Sequence, residues 1–217
     1  MKLNLYRQCV ERLCKKYIRQ NYAVFDCGCG DGHTTSVLKK YSKKVIGGDL
    51  ENRTIKNLGI KFRQITVNNY GKENEFDVVV SFDVIEHVKN DAGFLNEVIK
   101  ITKPGGIIVI GTPNRNRLSN IIMHLLGVKI TYPRRLGYHY ESGGEIIHFR
   151  EYRKNDLKKL IISTKKVNIL ELKTLFLGAY LGGIPVGIKN TENEILPEYS
   201  QHIFAVFQKS KYDKNPK

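Results

Sequence analysis

Two clusters of residues in this chain have the types and spacing that chemistry requires. The first is Asp26-Cys27-Gly28-Cys29-Gly30-Asp31-Gly32, with a glycine at every second position. Glycine reaches backbone angles closed to other residues and lets peptide N–H groups come close to a ligand. The spacing is Gly-x-Gly-x-Gly, not the Gly-x-Gly-x-x-Gly of pyrophosphate-binding turns, and it points to a nucleoside with a short amino-acid tail. Asp49 lies nineteen residues beyond Gly30, where a carboxylate can accept hydrogen bonds from both ribose hydroxyls. A triple glycine alone also suits a bare tight turn; the strand before it and the spaced acid after it argue for a ligand. Cys27 and Cys29 are most simply small buried residues that fill the turn.

The second cluster is Asp83-Val84-Ile85-Glu86-His87. His87 can serve as a general base, because an unperturbed imidazole has a pKa of about 6.5 and is largely neutral at pH 7. The plainer alternative is that Glu86 and His87 only brace their loop against the glycine turn. Asp83, Glu86 and His87, joined by His148, also form an oxygen and nitrogen set suited to Mg²⁺ or Mn²⁺, which would lower the pKa of a hydroxyl. The preferred reading has no metal.

The elements that must carry these clusters follow from hydrophobic patterning. Leu5, Cys9, Leu13 and Tyr17 recur every four residues and predict an amphipathic helix over 5–18, covering the sheet edge or the cofactor mouth. Seven strands are expected, at 23–25, 44–49, 61–67, 76–82, 107–110, 167–176 and 202–208. The continuous valine run of Phe76–Phe82 suits a parallel strand buried on both faces. Helices are expected at 34–41, 53–58, 91–102 (capped by Asp91) and 154–163. Alternation of this kind predicts an α/β, mostly parallel, doubly wound sheet. We expect one domain, divided as a cap helix (1–21), a cofactor-binding core (22–113), a lid insertion (114–150), the C-terminal half of the sheet (151–209) and a frayed tail (210–217). Within the lid, Leu118, Ile121, Ile122, Leu125 and Leu126 form one stripe flanked by Arg115, Arg117 and Lys129. Such a stripe most often packs against its own domain; it can also clamp an apolar substrate or rest on a membrane surface. Tyr132, Tyr138, Tyr140, Arg134 and Arg135 can meet a sugar, a phosphate or stacked bases.

Composition bounds these readings. Over 217 residues, 41% hydrophobic and 26% charged are values of a globular protein. The four cysteines have no Cys-x-x-Cys pair and no histidine cluster, which disfavours zinc and disulfides. The charged first residues do not form a signal peptide, so a cytoplasmic, reducing location is expected. The longest apolar stretch, 175–188, is too short and too broken by glycine to span a bilayer. Net charge is +15, and residues 98–140 hold seven Lys or Arg and no acid. That block can attract nucleic acid, an anionic lipid surface or a phosphorylated substrate, or it can be merely a solvated face.

Val24 to Gly32, Gly48-Asp49-Leu50 and Phe76 to His87 together resemble the Rossmann-like S-adenosylmethionine-dependent methyltransferases. Lys103-Pro104-Gly105-Gly106 and Thr112-Pro113-Asn114-Arg115 are similar to the subgroup that includes ubiquinone-biosynthesis O-methyltransferases, and His148 to Tyr152 extends the likeness. The resemblance implies that Asp26, Gly28 and Gly30 hold the methionine end of the cofactor, with Cys29 and Gly32 also in its binding turn, that Asp49 and Leu50 hold the ribose, and that Ser81 and Phe82 border the sulfonium. Asn68 stands where many relatives carry an acid for the adenine amino group, and its amide oxygen can substitute. The implied activity is O-methylation of a small molecule, a glycan or a lipid-linked precursor, with His87 and Glu86 as the catalytic pair. The rivals are an RNA 2′-O-methyltransferase with a divalent metal at Asp83, Glu86, His87 and His148, and a cofactor-binding module without turnover.

Overall fold

The computed structural model describes residues 5–54, 56–139, 144–181, 184–188 and 196–211. Helix α1 (Leu5–Tyr17) leads into β1 (Ala23–Cys27), α2 (His33–Leu38), β2 (Lys44–Asp49), β3 (Phe62–Gln64), β4 (Phe76–Phe82), α3 (Asp91–Ile101) and β5 (Thr102–Pro113). Then come α4 (Leu118–Leu125), the strands β6 (Arg134–His139) and β7 (Gly144–His148), α5 (Lys154–Ser163), β8 (Val167–Leu175), β9 (Leu177–Leu181), β10 (Ile184–Ile188) and β11 (His202–Lys209).

Seven strands form the main sheet in the order β3-β2-β1-β4-β5-β11-β8. The first five are parallel, and β11 runs antiparallel to both β5 and β8. This is the expected α/β, Rossmann-like, mostly parallel seven-stranded architecture. Strand β4 shows why it is doubly wound: Val78, Val80 and Phe82 pack with Cys9, Val10, Cys14, Val37 and Leu38 from α1 and α2, whereas Phe76 and Val79 pack with Phe94, Leu95, Ile99, Leu157 and Ile161 from α3 and α5. Val78, Val79 and Val80 therefore enter opposite cores in turn, so these successive positions are all apolar.

Several local expectations are corrected. Helix α1 lies across a face of the sheet rather than its edge, and its buried residues are Cys9, Val10 and Cys14, with Leu13 and Tyr17 half-buried. In place of a helix over 53–58 there is a single 3₁₀ turn, Lys56–Leu58. The Asn52 side chain takes the Thr54 N–H and hydroxyl, offering that backbone an alternative to a helical start. Asn90, not Asp91, caps α3, by accepting from Gly93 N at 2.9 Å. After β5 the chain makes α4 and a two-stranded antiparallel ribbon, β6 and β7, apart from the main sheet. Tyr140, the side chain of Tyr138 and the tail from 212 onward lie outside the described residues.

Candidate active site

The glycine turn is built by β1 folding back on its neighbour. Gly28 N and Cys29 N both donate to Gly48 O, at 2.7 and 3.1 Å, and Gly32 N donates to Cys29 O. Gly28, Gly30 and Gly32 have φ of 81°, 52° and 87°, values that favour glycine. A Cβ on Gly28 would lie 2.2 Å from Val84 Cγ2, whereas one on Gly30 would enter open space. The turn is therefore closed on the side of β4 and open at Gly30. Gly30 N donates to Asp49 Oδ2 at 2.8 Å, and Leu50 N to Asp49 Oδ1 at 2.7 Å. The glycine turn and the acid after the second strand thus meet directly.

The other candidates near the turn are placed as follows. Asp26 is buried beneath it, and its carboxylate accepts from Thr35 Oγ1 at 2.7 Å. Burial pushes this carboxyl up to about 7, the Thr35 hydrogen bond works against that, and Asp49 adds to it. Cys29 is buried, with its thiol raised to about 12 by burial. Ser81 is also buried, and its hydroxyl donates to Cys27 O at 2.9 Å, pinning β4 to β1. Phe82 is buried beside Phe204. Leu50 is exposed next to Asp49, and Asn68 is exposed on the turn between Thr66 and Asn69.

Beyond β4, Asp83 has φ of 54° and its N–H donates to Gly111 O, turning the chain into a 3₁₀ segment, Ile85–His87. Val84, not Glu86 or His87, meets the glycine turn. Glu86 is wholly buried: Oε2 accepts from Thr112 Oγ1 at 2.8 Å, and Oε1 has no hydrogen-bond partner among the described residues. Burial, reinforced by the charges of Asp83 and Glu151, holds its carboxyl well above the usual range.

Strand β7 closes the other side. Phe149 N donates to Glu86 O, and His87 Nδ1 lies 2.9 Å from Ile147 O. A carbonyl can only accept, so Nδ1 carries the proton and Nε2 keeps its lone pair. Burial lowers the His87 pKa, which keeps the ring neutral. His148 stands edge-on to His87, with ring centroids 4.7 Å apart, and its Nδ1 is 3.0 Å from Glu151 Oε1. Glu151 is buried and, although burial alone would raise it, hydrogen bonds from His148 and Arg117 hold its carboxyl well below the usual range. Arg117 grips it with two nitrogens, and Asn120 Nδ2 approaches at 3.1 Å.

Glu86, His87 and His148 each present a ligand atom within 4.8 Å of the others. The set fits a divalent ion: a buried carboxylate oxygen lacks a partner, and a carboxylate orients one imidazole through its far nitrogen. Asp83 is not part of the trio, and its carboxylate is 3.8 Å from His202 Nε2. Val84, Thr112, Glu151 and His202 belong to the site and were not singled out from sequence. Thr112 and Glu151 fall in segments whose family likeness is visible, but nothing in the sequence marks His202.

Residues 25–110 match the family described as Methyltransferase domain. That stretch is similar to a methyltransferase domain. The mitochondrial ubiquinone biosynthesis O-methyltransferase of Dictyostelium discoideum is 33% identical over 141 residues, which cover 55% of this chain and 44% of that protein. The ubiquinone biosynthesis O-methyltransferase of Rhodopseudomonas palustris is 35% identical over 102 residues, 43% of this chain and 40% of its own. The chain spans less than half the length of the curated relatives it matches. Among solved structures, an S-adenosylmethionine-dependent methyltransferase from Mesorhizobium loti aligns with a TM-score of 0.62 at 14% identity, over 95% of this chain and 100% of that one. The methyl donor of a domain of this kind is S-adenosylmethionine, and the open face at Gly30 beside Asp49 fits it. Each Asp49 oxygen accepts one backbone N–H, leaving lone pairs for the two hydroxyls of a ribose.

Proposed function

We propose that this chain transfers a methyl group from S-adenosylmethionine to an oxygen of a small molecule, a glycan or a lipid-linked precursor. The observation that carries the reading is the hydrogen bond between the Gly30 N–H and the Asp49 carboxylate, which brings both halves of a nucleoside site together. When bound, the donor supplies a methyl group on a positively charged sulfur, open to in-line attack. In this reading the chain aligns the acceptor, excludes water and receives its proton. His87 has a free Nε2 lone pair for that role, and Ile147 O fixes its orientation. Glu86 forms a buried hydrogen-bonding wall beside it, held by Thr112.

Calorimetric titration of the protein with S-adenosylhomocysteine tests the cofactor site. We expect saturable heat for the native chain and at least roughly tenfold weaker binding for Asp49→Ala, through loss of two ribose hydrogen bonds. No heat with the native chain would defeat the proposal.

The grouping of Glu86, His87 and His148 favours a second reading, in which a divalent cation sits in that trio and lowers the pKa of the acceptor hydroxyl. Transfer of labelled methyl into cell extract, followed with and without chelator, separates the two. Activity that chelator abolishes and Mg²⁺ restores supports the cation, whereas chelator-insensitive transfer supports His87 alone. Label recovered in the RNA fraction, with binding that weakens steeply as salt rises, would replace the small acceptor with RNA.

A further inference from the structure

We propose that the outer face of α4 and the adjoining β6 dock on an anionic membrane surface. A water-facing helix ordinarily hides its apolar stripe and shows its polar one. Helix α4 does so only in part, with Leu118, Ile121 and Met123 half-buried. Its buried residue is Asn120, which donates to Arg115 O and to Glu151, so polar bonds fasten the helix to the domain. Ile122, Leu125 and Leu126, spaced three and four apart, turn outward instead, with Leu125 78% and Leu126 73% exposed. Val128 and Leu136 extend the patch, so five of the eleven large hydrophobic residues exposed in the described chain fall within a fifteen-residue segment. Apolar surface concentrated in this way marks an interaction site.

Charge identifies the occupant. Arg115, Lys129 and Arg135 are exposed around the patch, Arg134 is half-buried, and residues 98–140 contain no acid. A second copy of the chain meeting this face would bring like charges together. Nucleic acid would answer the arginines but leave five apolar side chains without a partner. An anionic bilayer satisfies both, with leucines at the acyl boundary and basic groups among the phosphates. The root of α4 is also the root of the candidate active site, because Arg117 and Asn120 hold the same Glu151 that orients His148. Docking here would place the acceptor side of the site near the lipid. Binding needs neither cofactor nor turnover, so the inference stands apart from the methyl-transfer reading.

Flotation of the purified chain with vesicles of phosphatidylcholine, alone or mixed with phosphatidylglycerol, tests it. We expect partition onto the mixed vesicles that weakens as salt rises. The double variant Leu125→Glu/Leu126→Glu should lower it by roughly tenfold or more, and Lys129→Glu/Arg135→Glu by roughly fivefold per charge removed. Unchanged circular dichroism of the variants confirms that folding is intact. Absence of partition at low salt, or partition indifferent to the leucine substitutions, overturns the proposal. So does a solution dimer that the leucine substitutions dissociate, since the patch would then be covered by a second copy.

Discussion

Asp26 is a carboxyl that the fold prefers to keep protonated. Burial raises it to about 7, far above an unfolded aspartate near 3.8. The folded chain therefore holds this proton more tightly than the unfolded one. Its contribution is fullest below the unfolded value and is lost as pH climbs through about 7. Asp26→Asn keeps an acceptor for the Thr35 hydroxyl and cannot ionise. We expect urea midpoints of native and variant protein to diverge in the variant's favour between about pH 5 and pH 8; parallel behaviour would show that Asp26 finds a compensating charge. For His87 the sign is opposite in kind: burial lowers its pKa below 6.5, so the basic form persists into mild acid. The methyl-transfer rate of the native chain should hold through pH 6.5 and decline only at lower pH, and His87→Ala should cost roughly 10² to 10⁴ in kcat and remove that acid limb. A rate–pH profile of both proteins, with labelled donor, decides the matter.

The central strands of the main sheet were legible because both their faces are buried, as at Val78–Val80, whereas β6, β7, β9 and β10, which pair apart from that sheet, were not expected. The short helices were less legible. A single local bond, Asn52 to Thr54, diverts the backbone that periodicity read as helical, and adjacent cap-formers Asn90 and Asp91 can be told apart only by which side chain reaches Gly93 N. The β1–β2 pair has its own constraint. A Cβ on Gly48 would lie 2.1 Å from Phe25 Cζ, and Phe25 stacks on Phe76 at 4.8 Å with Arg63 over both rings. Gly48→Ala should therefore destabilise by about 1–3 kcal/mol, read as a fall in the thermal midpoint. Because Gly48 O also holds the turn, cofactor affinity should drop with it.

Taken whole, the molecule joins two sites of unequal visibility. The Gly30–Asp49 meeting was readable because parallel β1 and β2 are neighbours, which brings their ends to one rim. His87 and His148, sixty-one residues apart in sequence, were grouped as a candidate metal set and do meet, because β7 lies against the 3₁₀ segment; Asp83, expected with them, turns away, and no spacing encodes that. The stripe of α4, expected most often to pack against its own domain, is divided: Leu118 and Ile121 are half-buried while Ile122, Leu125 and Leu126 are exposed; a pattern shows that a stripe exists but not what it meets. Among the described residues no helix is long and apolar enough to cross a membrane. If the rim binds a nucleoside donor, folding and binding are linked. Saturation with S-adenosylhomocysteine at about a hundred times its Kd should add about 2.7 kcal/mol to global stability, seen as an upward shift in thermal unfolding that Asp49→Ala cuts by about half or more.

The reversed course of β11 gives the chain a practical polarity. His202, at its start, reaches the rim beside Pro113 and Leu175, while Lys209, at its end, ties back to Asn74 and to the carbonyls of Lys100 and Thr102 at the opposite pole. A reporter or immobilisation handle fused after residue 211 would emerge from the floor of the sheet. Donor, acceptor and vesicle could then all approach the working end unobstructed, with the same tethered molecules serving every assay.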